Sequence, residues 1–270
     1  MKKINLDIVT IKAIDANLSK YRRKASFYAN PQSKHAMVLA YEHFSKSKRD
    51  SYNVAKLYNI KVCPYCNINY TYVVGSRCRP DFDHFLPKSK HPSLALRVMN
   101  LVPCCQQCNS RLKLAKEMSY KDNVHPFLKD FDSLAFFQID SHGKPLNEVS
   151  LESDFDLKCV CKKNISPADK KRIEGNKEVF AIDERYEHHK DVVLNIIKNA
   201  YNYWDGFLEE ILNLVKIDDG EANSFKTTLK SQYFIKKIIF PDIDCDINST
   251  SLGKMKRDVS KYVKEAWEKS

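Results

Sequence analysis

The sequence predicts a mainly α fold with a small α+β insert, flanked by helical N- and C-terminal regions. Glycine is scarce, with 6 in 270 residues, and long stretches without glycine or proline favour helices. Apolar residues recur at steps of three and four near both ends of the chain, which is the period of a helix. The predicted regions are a helical N-terminal region (1–60), a compact strand and helix unit (61–117), a connecting segment with short strands (118–165) and a helical C-terminal region (166–270).

Two helices are predicted in the N-terminal region. Residues 8–29 place Ile11, Ile14 and Leu18 on one face, and a following proline ends the pattern. A second helix is predicted over residues 34–58, again with apolar and aromatic residues at helical spacing.

The residue composition then changes. Residues 62–85 are rich in β-branched and aromatic residues and contain Gly75, so they predict a strand, a turn and a second strand. A helix is predicted to begin near Asn109. Further on, a strand, a turn at His142 and Gly143, and a return strand are predicted.

The C-terminal region is predicted to be helical from Ser166, because a serine cap, a proline at the first helical position and an aspartate in the first turn mark a helix start. Two further helices are predicted near residues 221–239 and 251–268. Aromatic residues gather before them, and they are interpreted as core or as a face for another subunit. These residues are Tyr201, Tyr203, Trp204 and Phe207.

Positive charge is concentrated in one part of the chain. The formal net charge is +11, and the segment from Arg77 to Lys116 holds eight basic and two acidic residues. Such a segment indicates either a solvated basic face or a surface that binds a polyanion. No run of apolar residues approaches the roughly 18 needed for a membrane span, and the first residues do not resemble a signal peptide. A soluble, cytoplasmic protein without membrane association is therefore expected.

The nine cysteines are expected to be reduced, which favours metal binding or catalysis over a disulfide framework. The motif CPYC, Cys63 to Cys66, is typical of a glutaredoxin-like dithiol and equally of half a zinc site. A second pair, Cys105 and Cys108 in CQQC, follows after thirty-eight intervening residues. Two CxxC pairs supply four thiolates for a structural zinc ion. Cys104 offers a CxxxC alternative, but Cys105 gives the matching spacing.

Other cysteines and histidines are interpreted as structural. The CVC sequence at Cys159 to Cys161 has no matching second pair, so ordinary burial is expected. His188 and His189 are interpreted as a surface or interface pair within a helix, and His91 as a packing or surface residue.

The segments between and around the cysteine pairs carry a family resemblance. They read DFDHFLPKSKHP and MNLVPCCQQCNSRLK. The ordered set of CxxC, DH, NL and CxxCN, with a lysine four residues beyond the last asparagine, resembles the zinc-stapled HNH endonucleases. The match covers Cys63 to Lys113, about a fifth of the chain. It implies a ββα-metal finger whose small core is held together by zinc.

The resemblance also implies roles for individual residues. His84 corresponds to the general base that activates water, and Asn100 to the residue that braces the loop and orients the histidine ring. Asp83 and Asn109 correspond to ligands of a catalytic Mg²⁺ or Mn²⁺. Lys113 stands where some members of the family have a further histidine ligand, so it is expected to contact phosphate instead. The residues expected to bind the nucleic-acid backbone are Lys88, Lys90, Arg97, Arg111 and Lys113.

The implied activity is hydrolysis of phosphodiester bonds, most simply of DNA, leaving a 5′-phosphate and a 3′-hydroxyl. A single finger with helical flanks also resembles the nuclease subunit of Septu-type and retron-associated antiphage systems, which implies an ATPase partner. One alternative is a zinc-stapled nucleic-acid-binding module without catalysis. Another is a thiol oxidoreductase that uses CPYC and in which Cys105 and Cys108 are dispensable. DNA and RNA substrates, the oligomeric state and inhibition by a partner are left open.

Overall fold

A computed structural model describes residues 1–28, 35–201 and 239–269. Roughly half of these residues are helical, and four short strands form two antiparallel two-stranded sheets. No helix within the described ranges is long and apolar enough to cross a membrane. The chain divides into two compact units. The first contains Met1–Ala135, Cys161–Ile182 and Ile247–Ser251, and the second contains Phe136–Val160, Asp183–Asp246 and Leu252–Ser270.

The first unit begins with three helices, α1 (Ile8–Arg23), α2 (Ala36–Lys46) and α3 (Lys48–Tyr58). The predicted helix over residues 8–29 therefore ends early, and a 3-10 turn follows it; the proline expected to end it lies outside the described residues. The predicted helix over 34–58 is two helices. It breaks at Ser47, whose Oγ accepts a hydrogen bond from the Asp50 amide at 3.2 Å and caps α3.

A short hairpin and a helix follow. Strand β1 (Asp81–His84) pairs with β2 (Leu101–Cys104), and Asp83 lies opposite Val102. The helix expected near residue 109 is a π-helix, Gln107–Lys113, in which the Leu114 amide donates to the carbonyl five residues earlier at 3.0 Å. The predicted strand before Gly75 is wrong, because that segment makes only isolated bridges. The partner of β1 instead comes from residues that were not predicted to be a strand.

The hairpin is covered on both faces. Phe44 of α2 packs against Phe82 of β1 with ring centroids 5.6 Å apart, so α2 lies over the face that carries Phe82 and His84. On the other face lies the π-helix, which packs against α4 (Pro167–Phe180). Tyr65 is fully buried there and stacks on Phe180 at 4.3 Å. The start of α4 is as predicted, since Ser166 caps it through the Asp169 amide.

The second unit contains β3 (Ala135–Asp140), β4 (Asp156–Cys161), α5 (Ile182–Glu187), α6 (Lys190–Tyr201) and α7 (Gly253–Trp267). The predicted turn at His142 and Gly143 is present, with positive φ at both residues. The predicted return strand is wrong, because residues 146–148 form a 3-10 turn and β3 pairs with β4. The predicted helix over 251–268 is confirmed by α7. The one predicted near 221–239 lies, except for its last residue, outside the described residues, as do Tyr203, Trp204 and Phe207.

Candidate metal centre and adjoining histidine site

The four cysteines of the two CxxC pairs form one buried cluster. The sulfur atoms of Cys63, Cys66, Cys105 and Cys108 all lie within 4.8 Å of one another, and the Cys66 and Cys105 sulfurs are 3.9 Å apart. Four sulfurs bound to zinc at about 2.3 Å in a tetrahedron are about 3.8 Å apart. The cluster could therefore hold a metal ion such as zinc, as predicted from the spacing. Cys104 is buried in β2 but outside the cluster, which confirms the choice of Cys105.

A tight turn shapes the first half of the cluster. Asn67 has a left-handed backbone (φ +55°), and its amide donates to the Cys63 carbonyl at 2.8 Å. The chain then folds back, and the Cys63 amide donates to the Asn69 carbonyl at 2.8 Å. This closure turns the Ile68 amide toward the Cys66 sulfur at 3.4 Å. Asparagine is one of the few residues other than glycine that tolerate such a φ.

The second half of the cluster is surrounded by hydrogen-bond donors. The Cys105 sulfur accepts from the Cys108 amide and from Asn69 Nδ2, each at 3.4 Å. Hydrogen bonds from Cys108, and next from Cys63 and Cys66, lower the pKa of the Cys105 thiol. These contacts favour a thiolate at Cys105, which is the form that binds metal, whereas burial raises the pKa of the Cys63 thiol.

His84 ends β1 and is held in one orientation. Its Nε2 lies 3.0 Å from the carbonyl oxygen of Ala95, and its ring packs edge-on against Tyr41 with centroids 4.3 Å apart. Burial, followed by the charges of Lys88 and Lys113, lowers the pKa of His84 to about 3, so the imidazole is neutral at pH 7. Since a carbonyl oxygen only accepts, Nε2 carries the hydrogen and Nδ1 is the acceptor.

The Nδ1 atom of His84 is open to solvent. It has no hydrogen-bond partner among the described residues. In the described ranges the sole fully buried side-chain polar atom without a partner is Arg257 Nε. His84 Nδ1 is therefore not fully buried. The ring therefore keeps one free acceptor in a side chain that is 7% exposed. A free acceptor is one requirement of a general base, but a pKa of about 3 makes this imidazole a weak base at pH 7.

Asn100 fixes the loop that carries the carbonyl bonded by His84. Its Oδ1 accepts from the Leu86 amide at 2.8 Å, and its Nδ2 donates to the carbonyls of Leu86 and Leu94 at 3.1 and 3.2 Å. Leu94 directly precedes Ala95, so the amide side chain ties both ends of the loop together next to the His84 ring. Asn100 thus braces this loop in the structure, while its role in catalysis stays a prediction.

Asp83 is buried and fully engaged. Its Oδ2 accepts from the Tyr65 hydroxyl at 2.7 Å, and its Oδ1 lies 2.6 Å from the ammonium of Lys113. The side chains of Lys113 and Asp83 are only 2% and 3% exposed. The Lys113 ammonium also donates to the His84 carbonyl at 2.6 Å. Lys113 is therefore buried between β1 and the π-helix, not at the surface where it was expected to contact phosphate.

Asn109 hydrogen-bonds to Asp81, whereas the resemblance implied that it binds a metal ion together with Asp83. Its Nδ2 donates to Asp81 Oδ2 at 3.1 Å, and Ser110 Oγ donates to the same oxygen at 3.1 Å. No hydrogen bond joins Asp83 and Asn109. The donor set expected for Mg²⁺ or Mn²⁺ is thus not assembled, because one oxygen of Asp83 is neutralised by Lys113 and the Asn109 amide is turned toward Asp81.

The remaining basic residues of the predicted backbone contacts lie at the surface in varied settings. Lys88 is partly buried, with its ammonium 4.7 Å from the centre of the Tyr41 ring, and it contributes to the field at His84. Lys90 is exposed and paired with Glu117. Arg97 and Arg111 are exposed.

The other flagged residues have structural settings. His125 bonds the Met99 carbonyl through Nε2 at 2.8 Å and accepts from the Phe127 amide. Cys159 is buried, as expected for an ordinary core cysteine. The predicted helical setting of His188 and His189 is wrong, since both lie in the turn between α5 and α6.

Three residues contact the site but were not predicted from the sequence: Tyr41, Tyr65 and Asp81. Asp81 and Asp83 are two residues apart on a strand, so both side chains face the π-helix; this alternation was a readable signal. Tyr65 lies within CPYC, a motif that was interpreted only through its two cysteines. Tyr41 belongs to α2, which precedes His84 by many residues in the sequence. Only the packing of α2 on β1 brings the two side chains together.

Comparison with models of known protein families, with curated proteins and with solved structures finds no match for this chain.

Proposed function

We propose that the protein is an HNH-type endonuclease that hydrolyses phosphodiester bonds, with DNA as the expected substrate. The observation that carries the proposal is the setting of His84, a neutral imidazole held through Nε2 with Nδ1 directed outward. A strand, a braced loop, a second strand and a helix with a cysteine cluster surround it, which is the order of parts in the ββα-metal finger that the motifs resemble.

In the proposed reaction a water molecule attacks phosphorus and gives its proton to His84 Nδ1. The bond from phosphorus to the 3′-oxygen breaks, and that oxygen takes up a proton, so the products are a 5′-phosphate and a 3′-hydroxyl. The Ala95 carbonyl holds the ring hydrogen on Nε2. Lys88 lies beside the ring, where its charge favours a bound phosphate.

The resemblance also implies Mg²⁺ or Mn²⁺ at Asp83 and Asn109. These side chains do not fit that role as they stand, since Lys113 already supplies a cation to Asp83. No step is assigned to the ion. Because the Asp83 carboxylate is already paired with Lys113, a second candidate function is favoured. It is a zinc-stapled nucleic-acid-binding module without catalysis. The antiphage role and the ATPase partner stay predictions from the resemblance.

The test is cleavage by the zinc-loaded chain of plasmid DNA, single-stranded DNA and a structured RNA, each with Mg²⁺ or Mn²⁺. His84→Ala is expected to lower the rate at least about 100-fold, since general-base catalysis contributes at least that much. The matched control is His142→Ala, because this histidine side chain is 54% exposed in the second unit. Its rate should stay within about twofold of the parent.

Equal zinc content and circular dichroism in both variants would exclude unfolding as the cause of a lost rate. Cleavage that survives His84→Ala would refute the assignment of the base. Absence of cleavage on all three substrates, together with retained binding, would favour the non-catalytic module.

A further inference from the structure

A groove beside the cysteine cluster has the chemistry of a site for unpaired nucleotides. It has a volume of about 520 Å³ and runs between α3, the segment before β1 and the chain around Cys105. Its walls include Lys48 and Tyr52 of α3, and Tyr70, Tyr72 and Arg77. We call this the tyrosine groove. All these residues belong to the first unit, and none of them is part of the histidine site.

Two tyrosines form an exposed platform on one wall. Tyr70 and Tyr72 are 52% and 54% exposed, although large aromatic residues normally bury most of their surface. Their ring centroids lie 5.3 Å apart, and neither hydroxyl has a hydrogen-bond partner among the described residues. The pair therefore offers aromatic surface that the described fold does not use.

The platform is rigid because the residue between the two tyrosines is anchored. Thr71 is buried, its amide donates to the Lys61 carbonyl at 2.9 Å, and its hydroxyl donates to the Ile60 carbonyl at 3.0 Å. In an extended segment, residues two apart point to the same side. Anchoring Thr71 inward thus turns both tyrosine rings outward.

The groove is strongly basic. Its lining holds four cationic side chains and the single carboxylate of Asp81; the cations are Lys46, Lys48, Arg77 and Arg79. Within the described part of the chain, none of the four makes an ion pair. Arg79 is fixed by neutral groups, the Ser51 hydroxyl at 3.1 Å and the Ser45 carbonyl at 3.0 Å, so its charge is not cancelled.

The basic surface continues past the tyrosines. A second depression of about 460 Å³ shares Thr71 and Tyr72 with the tyrosine groove and includes Lys56 and Lys61, both exposed. Further cations thus lie in a depression that adjoins the aromatic platform. Alternating cationic and aromatic surface is how proteins hold single strands, since phosphates meet the charges and bases stack on the rings. A duplex hides the faces of its bases and cannot use such a platform.

We infer that the tyrosine groove binds a single-stranded segment of nucleic acid, with bases stacked on Tyr70 and Tyr72 and phosphates on Lys48 and Arg77. This inference rests on the proposed function and specifies its substrate as unpaired nucleic acid. The groove reaches Asp81 at the start of β1, three residues from His84, or about 10 Å along the strand. The groove and the proposed base are thus linked through the same strand, β1.

The test measures binding of fluorescent 20-nucleotide probes by anisotropy, in a His84→Ala background so that no probe is cut. The probes are oligo(dT), oligo(U) and a DNA hairpin duplex. At least one single strand should bind ten times more tightly than the duplex. Tyr70→Ala and Tyr72→Ala should each weaken that binding about 5- to 150-fold, the loss expected for one stacked base.

Matched variants separate stacking from other effects. The Tyr70→Phe and Tyr72→Phe variants keep the ring and should bind within about twofold of the parent. Tyr262→Ala removes an exposed tyrosine of α7 that does not line the groove, and it should have no effect. Arg77→Gln should reduce the slope of log affinity against log salt by about 0.7, whereas Lys121→Gln, outside the groove, should not.

The outcomes distinguish this inference from the proposed function. Equal binding of duplex and single strand, or single-strand binding that survives both alanine substitutions, would overturn the inference and leave the nuclease intact. A single strand could bind tightly and depend on the tyrosines while the parent chain, with His84 intact, cleaves none of the substrates. That result would support the groove and overturn the proposed nuclease. Failure of every probe to bind would overturn the inference.

Discussion

The buried ion pair between Lys113 and Asp83 leads to a quantitative prediction. The two side chains are 2% and 3% exposed, and their charged atoms are 2.6 Å apart. Lys113→Met keeps the length and apolar stem of the side chain but leaves the Asp83 carboxylate buried without its cation. Removing one partner of a buried pair costs about 3–5 kcal/mol. We therefore expect the free energy of unfolding to fall by about that amount, measured by urea denaturation of the zinc-loaded protein.

The matched control is Lys90→Met. Lys90 pairs with Glu117 at the surface, where the side chains are 59% and 54% exposed, and such pairs contribute less than about 1 kcal/mol. Asp83→Asn combined with Lys113→Met should cost at least about 1 kcal/mol less than the sum of the two single changes, because the pair is coupled.

A loss for Lys113→Met no larger than that for Lys90→Met would refute the reasoning, since it would mean that Asp83 does not depend on the lysine. Stabilisation of Lys113→Met by millimolar Mg²⁺, without the same effect on the parent, would reveal a divalent-ion site at Asp83 that Lys113 blocks.

Three further predictions concern stability. Cys66→Ala should abolish stoichiometric zinc binding and unfold the segments that the cysteine cluster holds together, whereas Cys104→Ala should retain one zinc per chain by elemental analysis; zinc loss in both would contradict the cluster. Asn100→Ala should lower the free energy of unfolding by about 2–3 kcal/mol, because it strips three hydrogen bonds from the loop; urea denaturation measures this, and no change would count against the bracing role. Gly175→Ala should destabilise by at least about 1–3 kcal/mol, because its Cβ would lie 2.1 Å from the Asp122 carbonyl oxygen; an unchanged melting temperature would contradict the close approach.

Local signals in the sequence predicted the elements that depend on local chemistry. The Ser166 cap fixed the start of α4, and the spacing of the cysteines predicted their cluster. The break between α2 and α3 at Ser47 was also a local signal, since a serine followed three residues later by Asp50 is typical of a helix start. The apolar spacing resumes at Val54 after the polar stretch 45–51, and this concealed the break.

The interpretations that changed all depend on tertiary burial. A lysine in a basic segment predicts a phosphate contact, and only the closure of β1, Tyr65 and the π-helix around Lys113 turns it into an internal cation. The same closure sets Asn109 opposite Asp81 rather than Asp83. Residue spacing along the chain placed both side chains on one helical face, but it did not determine which carboxylate each one meets.

The cysteine cluster and the tyrosine groove share residues, and this affects how metal dependence can be tested. Asn69 donates to the Cys105 sulfur, and Tyr70 is the next residue, so the turn that closes the cluster also positions the platform. Cys105 itself lines the groove. A chelator that strips zinc would therefore abolish binding and cleavage together. Dependence on a catalytic ion requires a different comparison, in which zinc content stays at one per chain while Mg²⁺ alone is withdrawn. Activity that falls under that condition would assign the loss to the ion, because the cluster and the groove remain in place.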